Sequence, residues 1–328
     1  MSITTTQLFE GVHLIHGIVG GRPLTLTLLI GSEKSLLMDT GCSSDVESII
    51  LPAFQEVGLD PKDLSMILIS HCDLDHVGGN HGMKQVSPEA LLTCGDADRN
   101  QVESPENLFT CRYDAYRSQH NIFYGEDVKN WIRTESGKAQ SVELTFRGGE
   151  RIRLSPNWEV ETLHLPGHSR GHLGLLDRRN RALYGADAIH GAVMLTLEGR
   201  PAMPPTYLHV DAYLQTIQLI ESLDIDSYVG CHWPVLHNHE DIRGFCDETR
   251  SYVEQTERLI IDNLYNTPEG MTLLDLCEVV GPQLGSWPVE VNREHAYAFS
   301  GHLKRLEGQG RIEVSGQKCP CTHTLKTS

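Results

Sequence analysis

The sequence predicts an α+β protein in two parts, a large domain over residues 1–250 and a small helix-rich domain over 251–328. Two observations carry this. Short apolar runs of strand length recur between Val12 and Val229, and several of them end in a histidine or an aspartate. Past residue 250 the apolar residues fall instead at helical spacing, as in Ala296, Phe299, Leu303 and Leu306. A length of 328 residues fits one large core with a smaller appendage.

In chain order, Val12–Ile18 and Leu24–Ile30 read as strands flanking the turn Gly20-Gly21-Arg22-Pro23. Ser35–Met38 is a third strand and runs into Asp39-Thr40-Gly41. Ser43 or Ser44 is placed to cap a helix through Phe54 and Val57 that stops near Gly58. Residues 65–70 form the next strand, and Gly78, Gly79 and Gly82 beyond it allow close backbone approach. Residues 103–140 are polar with interleaved aromatics, a helical insertion that is either a surface subdomain or a lid over a site. Strands resume at Ile152–Leu154, Val160–Leu165, Leu173–Leu176 and Ala182–Tyr184. An amphipathic helix over Val210–Leu223 precedes a last strand at Ser227–Val229.

The final portion predicts helices over Ser251–Leu264, over Leu273–Val279 capped by Thr272, and from Asn292 to about Glu307. A turn and strand follow at Gly308–Val314, giving a winged-helix-like order of elements. Cys319-Pro320-Cys321-Thr322-His323 lacks a second ligand pair and reads as a flexible tail rather than a metal site.

The chemistry concentrates in His71-Cys72-Asp73-Leu74-Asp75-His76, directly after the apolar run 65–70. Imidazoles and carboxylates crowded at a buried strand end make a poor core and a good cation site. Asp39, His168, Asp187 and His232 each follow another short apolar run, so all can converge on one edge of the sheet core. Strand alternation turns the side chains of Cys72 and Cys231 away from these positions.

Composition bounds the partners. Hydrophobic content of 39% and charged content of 22% are ordinary for a globular protein, and no apolar run reaches membrane-spanning length. The N-terminus lacks a secretory signal, and nine cysteines without a disulfide framework suit a reducing cytoplasm. Net charge is −17; residues 266–328 hold six Lys/Arg against seven Asp/Glu, so −16 lies in residues 1–265. Such a field disfavours nucleic acid as a partner.

The five ligand-bearing stretches, Asp39-Thr40-Gly41, His71 to His76, His168, Asp187 and His232, resemble in order the five motifs of metallo-β-lactamase-fold hydrolases. Pro166-Gly167-His168-Ser169-Arg170-Gly171-His172 is similar to the P-G-H-T-P-G-H of the glyoxalase II-like and lactonase-like branches. The C-terminal portion resembles, more loosely, a winged-helix appendage found on some members. The resemblance implies an αββα sandwich and two divalent metal ions bridged by Asp187. His71, Asp73 and His168 would complete the first site, and Asp75, His76 and His232 the second. Asp39 would stand behind the ligands, accepting a hydrogen bond from an imidazole.

One departure stands out. The family motif H-x-H-x-D-H has a histidine where this chain has Asp73. A carboxylate there adds negative charge and a harder donor, which moves preference from zinc towards iron or manganese, as in flavodiiron-type relatives with an acid at this place. The same charge would raise the pKa of metal-bound water and put the pH optimum on the alkaline side.

The implied activity is hydrolysis of an ester, thioester or lactone of a small acyl substrate by metal-bound hydroxide, with Asp75 orienting the nucleophile and moving its proton. A di-iron redox enzyme and a nuclease acting on RNA or DNA are the alternatives, and a non-catalytic sensor a third. The pocket is expected from residues 103–140 and the loop after Asp187, where His190 and Tyr207 are candidate substrate contacts. Protein interaction, including homodimerisation through residues 251–328, is one role open to the appendage.

Overall fold

The computed structural model describes residues 5–315 and 320–326. Strands β1 (Thr5–Phe9), β2 (Val12–Val19), β3 (Arg22–Ile30) and β4 (Ser35–Met38) pair antiparallel in succession. Strands β5 (Met66–Ile69), β6 (Leu91–Gly95) and β7 (Leu144–Phe146) then add in parallel, completing a seven-stranded sheet in chain order. A second, six-stranded sheet is built from β8 (Arg151–Ser155), β9 (Trp158–His164), β10 (Leu173–Asp177) and β11 (Ala182–Ala186). A small ribbon of β12 (Met194–Leu195) and β13 (Pro201–Met203) lies outside it, before β14 (Ser227–Gly230) and β15 (Leu236–His237) finish its edge. Within it β11 and β14 are parallel.

The two sheets face each other across a core that holds Leu14, Leu29 and Leu68 from the first and Leu154, Leu175 and Tyr184 from the second. The outer face of the first sheet is covered by Phe54 and its helical neighbours, and that of the second by Tyr213 and Ile217 of the helix Val210–Ser222. This is a helix–sheet–sheet–helix sandwich. Because both faces of each sheet are covered, β4 and β5 are buried at every position, which is why they read as unbroken apolar runs instead of alternating.

Three local readings change. Helical turns occupy Val46–Ile50 and Leu51–Val57 and end at Gly58 with φ 74°, but no side chain caps the start, and Asp45 stands at that position. The predicted helix 251–264 is the second half of a 28-residue helix, Asn238–Tyr265, which crosses the boundary placed at residue 250. Asn292 does not cap its helix: it lies in the tight turn Val289–Glu294, where its Oδ1 accepts from Trp287 Nε1, and the helix runs His295–Gly308.

The C-terminal portion carries the helix Leu273–Leu284, whose Thr272 cap pairs reciprocally with Asp275. Strands β16 (Met271–Thr272), β17 (Ile312–Ser315) and β18 (Thr322–Leu325) form a three-stranded sheet in the order β16-β18-β17. Cys319 lies outside the described residues, but Thr322 and His323 belong to β18, and His323 is buried, so this part of the tail is a paired strand. Phe299 and Leu303 share one apolar cluster with Tyr213 and Ile217 of the large domain. Burying a side chain such as Phe299 contributes roughly 1.5–3 kcal/mol, so the module is anchored to the sandwich by its own core.

Candidate metal centre and substrate cleft

The site forms where strands of both sheets end. β4 is followed directly by Asp39 with φ 67°, and β11 ends at Ala186 with φ 45° just before Asp187. Left-handed backbone at a non-glycine residue costs free energy and persists only where the surroundings enforce it. At both ends it turns the chain abruptly and aims a carboxylate across the sandwich edge. The short helix Leu74–Val77 holds Asp75 and His76, and Gly79 lets it approach β4, since a Cβ there would lie 2.2 Å from the Thr40 carbonyl oxygen. Gly167 has φ 148° and a Cβ on it would meet Tyr213 at 2.5 Å, so the His168 loop needs glycine at that position.

His71, His168 and Asp187 offer ligand atoms that all lie within 4.8 Å of one another, as do those of His76, Asp187, Cys231 and His232. Asp187 belongs to both groups. Its Oδ2 is 3.3 Å from His232 Nε2 and 3.9 Å from His76 Nε2, and Asp75 Oδ2 is also 3.3 Å from His232 Nε2. All of these side chains are buried.

The outer ring nitrogens are tied down one by one. Asp39 accepts from Ser70 N at 2.7 Å, from Ser70 Oγ at 2.7 Å and from His76 Nδ1 at 2.8 Å. The Ser70 hydroxyl in turn accepts from His71 Nδ1 at 3.0 Å. His168 Nδ1 donates to the Thr206 carbonyl at 2.6 Å and His232 Nδ1 to the Pro23 carbonyl at 2.7 Å. With Nδ1 used as donor, each imidazole presents the lone pair of Nε2 to the centre. The His168 loop is braced as well: Asp98 accepts from the Ser169 hydroxyl and from Gly171 N, and Tyr297 donates to the His168 carbonyl at 3.0 Å.

At the centre, His71 Nε2, His76 Nε2, Asp187 Oδ1 and His190 Nε2 are buried without a hydrogen-bond partner. Leaving a buried polar atom unsatisfied costs about 1–3 kcal/mol, and four turned into one small volume is a donor set that fits metal cations. Burial, with His76, His168 and His172 nearby, holds the His71 imidazole well below its ordinary pKa, in the neutral form that coordinates. Replacing Asp39 by asparagine is expected to weaken metal binding about 10–100-fold, because it removes the acceptor that fixes His76 and Ser70; a competitive chelator titration measures this, and unchanged affinity would rule out that positioning role.

Asp73 behaves differently from its neighbours. Its Oδ1 accepts from Arg112 Nε at 2.9 Å and its Oδ2 from Arg112 Nη2 at 3.2 Å, while Oδ2 also lies 3.3 Å from His168 Nε2. Burial opposes its ionisation, but Arg112, with His168 and His71, outweighs burial and holds the carboxyl well below its usual range. The guanidinium stacks on Tyr297, 3.8 Å from the ring centroid. The added charge of Asp73 is therefore matched by the added charge of Arg112. Arg112 thus offsets the charge on which the alkaline pH optimum was expected, while the harder oxygen donor of Asp73 is unchanged. Arg112 could not be singled out in the sequence because it lies 39 residues away within the insertion.

Two further placements correct the sequence reading. Tyr207 is fully buried and its hydroxyl pairs with His302 Nε2 at 2.9 Å, while its neighbour Thr206 lines the cleft. Cys231 does not point away: its Sγ belongs to the cluster with His76, Asp187 and His232. Alternation fails there because β14 has already ended at Gly230 and the β11–β14 register shifts between Tyr184 and Ala186. His190 is buried beside the centre, its Nε2 3.5 Å from Asp187 Oδ2, and burial lowers its pKa to about 4.

The cleft above Asp75, Asp187 and His232 has walls from the β2–β3 turn, from Met194 and Met203, and from Tyr113, Tyr124, Val128, Trp131 and Ile132 of the insertion. The C-terminal portion reaches the same cleft through Glu294, which accepts from the Tyr124 hydroxyl at 2.9 Å. Residues 20–232 match the sequence pattern described as the metallo-beta-lactamase superfamily. The chain belongs to that superfamily. Acyl-coenzyme A thioesterase MBLAC2 of Homo sapiens is 24% identical over 217 residues, covering 62% of this chain and 70% of that protein. The hydroxyacylglutathione hydrolase of a Synechococcus species is 25% identical over 197 residues, covering 58% of this chain and 57% of its own length. A metallo-beta-lactamase family protein from Thermus thermophilus shares the fold with a TM-score of 0.73 at 18% identity, over 98% of this chain and 100% of that one. The structural likeness thus extends beyond the superfamily segment into the C-terminal portion.

Proposed function

We propose that this metallohydrolase cleaves a thioester, ester or lactone of a small acyl substrate, using two divalent ions with zinc as the first choice. The observation that carries this reading is the buried, unsatisfied donor cluster at the floor of a cleft with apolar walls. The thioesterase and hydroxyacylglutathione hydrolase relatives support the acyl class. His71, His168, Asp187, His76 and His232 would hold the ions, with Asp73 and Asp75 beside them. When bound, the ions supply an activated water and polarise the scissile carbonyl.

The chain's own residues do the rest. Asp75 lines the cleft beside His232 and is placed to orient the nucleophile and hand its proton to the leaving group. Val128, Trp131, Ile132, Met194 and Met203 hold the acyl portion and exclude water from it. Asp39 keeps His76 aimed at the centre. No helix among the described residues is long and apolar enough to cross a membrane, and we place the enzyme in the cytoplasm.

The test is turnover of a panel of acyl thioesters, esters and lactones, run against RNA and against oxygen consumption. Thioester or lactone hydrolysis that falls at least about 10²-fold in both Asp75→Asn and His168→Ala is the expected result. Hydrolysis surviving both substitutions would sink the mechanism, and turnover of RNA alone would replace the substrate class.

A further inference from the structure

We infer that His190 is a ligand of the first metal, supplying the third imidazole that the chain lacks at position 73. This rests on the reading of the site as a metal centre and deepens it.

Asp73 keeps a place beside His168, but both of its oxygens accept from the buried Arg112 guanidinium in a two-pronged pair. That pairing takes one in-plane lone pair on each oxygen and offsets its charge. His190 has no comparable employment on its inner side. Its Nδ1 faces the Tyr213 hydroxyl at 3.3 Å, and its buried Nε2 makes no hydrogen bond of good geometry, with Asp187 Oδ2 standing 3.5 Å away. A fully buried imidazole nitrogen left in that state is costly unless something binds it.

The geometry favours a shared cation. A tetrahedral ion with ligand bonds of about 2.0–2.1 Å separates its donor atoms by roughly 3.4 Å. His190 Nε2 lies 3.5 Å from Asp187 Oδ2, the oxygen that also faces His232, and its ring centroid lies 4.9 Å from that of His168. Asp187 and His168 are two of the three side chains in the first ligand group, with His71 the third. The chain turns tightly after β11, with Ala188 N donating to the Gly185 carbonyl, so His190 comes back onto the centre three residues after Asp187. His190 Nε2 stands outside the set formed by His71, His168 and Asp187, and drawn in by a cation it would give an imidazole-rich site that suits zinc.

Metal content decides it, read on resting protein so that the result does not depend on which acyl substrate is turned over. Wild-type protein loaded with zinc and desalted is expected to hold two ions per chain. His190→Ala is expected to hold about one, and Asp73→Asn two, with circular dichroism confirming that each variant is folded. Two ions retained by His190→Ala, or one lost by Asp73→Asn, would overturn the assignment. A second measurement covers the case in which His190→Ala fails to fold. His190→Cys substituted with cobalt is expected to gain a near-ultraviolet thiolate-to-metal band beyond that of the cobalt wild type. No added band would equally overturn the assignment.

Discussion

Asp187→Asn is expected to abolish hydrolysis, lowering turnover by about 10³-fold or more, and to leave the protein unable to hold two ions together. The carboxylate is the one side chain common to both ligand groups, 3.3 Å from His232, 3.5 Å from His190 and 3.9 Å from His76. Burial opposes its ionisation, yet His232, His190 and His76 outweigh burial and keep it charged. Asparagine preserves the shape but removes the charge that offsets two cations, and one of its ends presents a donor where an acceptor is required. Loss of a metal's Lewis acidity is worth several kcal/mol of transition-state stabilisation, and each 1.36 kcal/mol is about tenfold in rate. Metal analysis and turnover measured on the same preparation check both halves. A variant that keeps two ions and more than about a tenth of wild-type turnover would show that Asp187 is not the bridge.

The site was legible in the sequence where it depends on local order. Each ligand follows an apolar run, and an apolar run buried on both faces marks a central strand whatever surrounds it. The same logic missed β6 and β7, because Leu91–Gly95 and Leu144–Phe146 are short and each begins on an exposed leucine. It also misread Cys231, whose orientation is set after its strand has ended. Asp73 shows the limit most clearly. Its residue type could be weighed from the motif, but its charge balance depends on Arg112, a side chain brought to it by the fold of the insertion. Likewise, residues 251–328 read as a separate appendage, whereas Glu294 and Tyr297 reach the cleft wall and the His168 loop. Contacts across more than a hundred residues leave no local signal, so the closure of the cleft by the C-terminal portion emerged only from the structure.

Arg112→Met is expected to destabilise the protein by about 3–5 kcal/mol, the usual consequence of stripping a buried carboxylate of its partner. Arg112 and Asp73 retain only 8% and 13% of their side-chain exposure, so solvent does little to screen the charge left behind. Stacking of the guanidinium on Tyr297 is lost as well, adding about 0.5–2 kcal/mol. The sign of the second substitution separates charge from packing. Asp73→His alone leaves Arg112 buried beside an imidazole and is also expected to destabilise. Combined with Arg112→Met it removes both charges and restores an imidazole to the motif, so the double variant should regain most of the loss, a coupling of opposite sign to simple additivity. Chemical denaturation of the four proteins after metal removal gives the cycle. If Arg112→Met unfolds within about 1 kcal/mol of wild type, or if the two substitutions simply add, Asp73 is not balanced by Arg112.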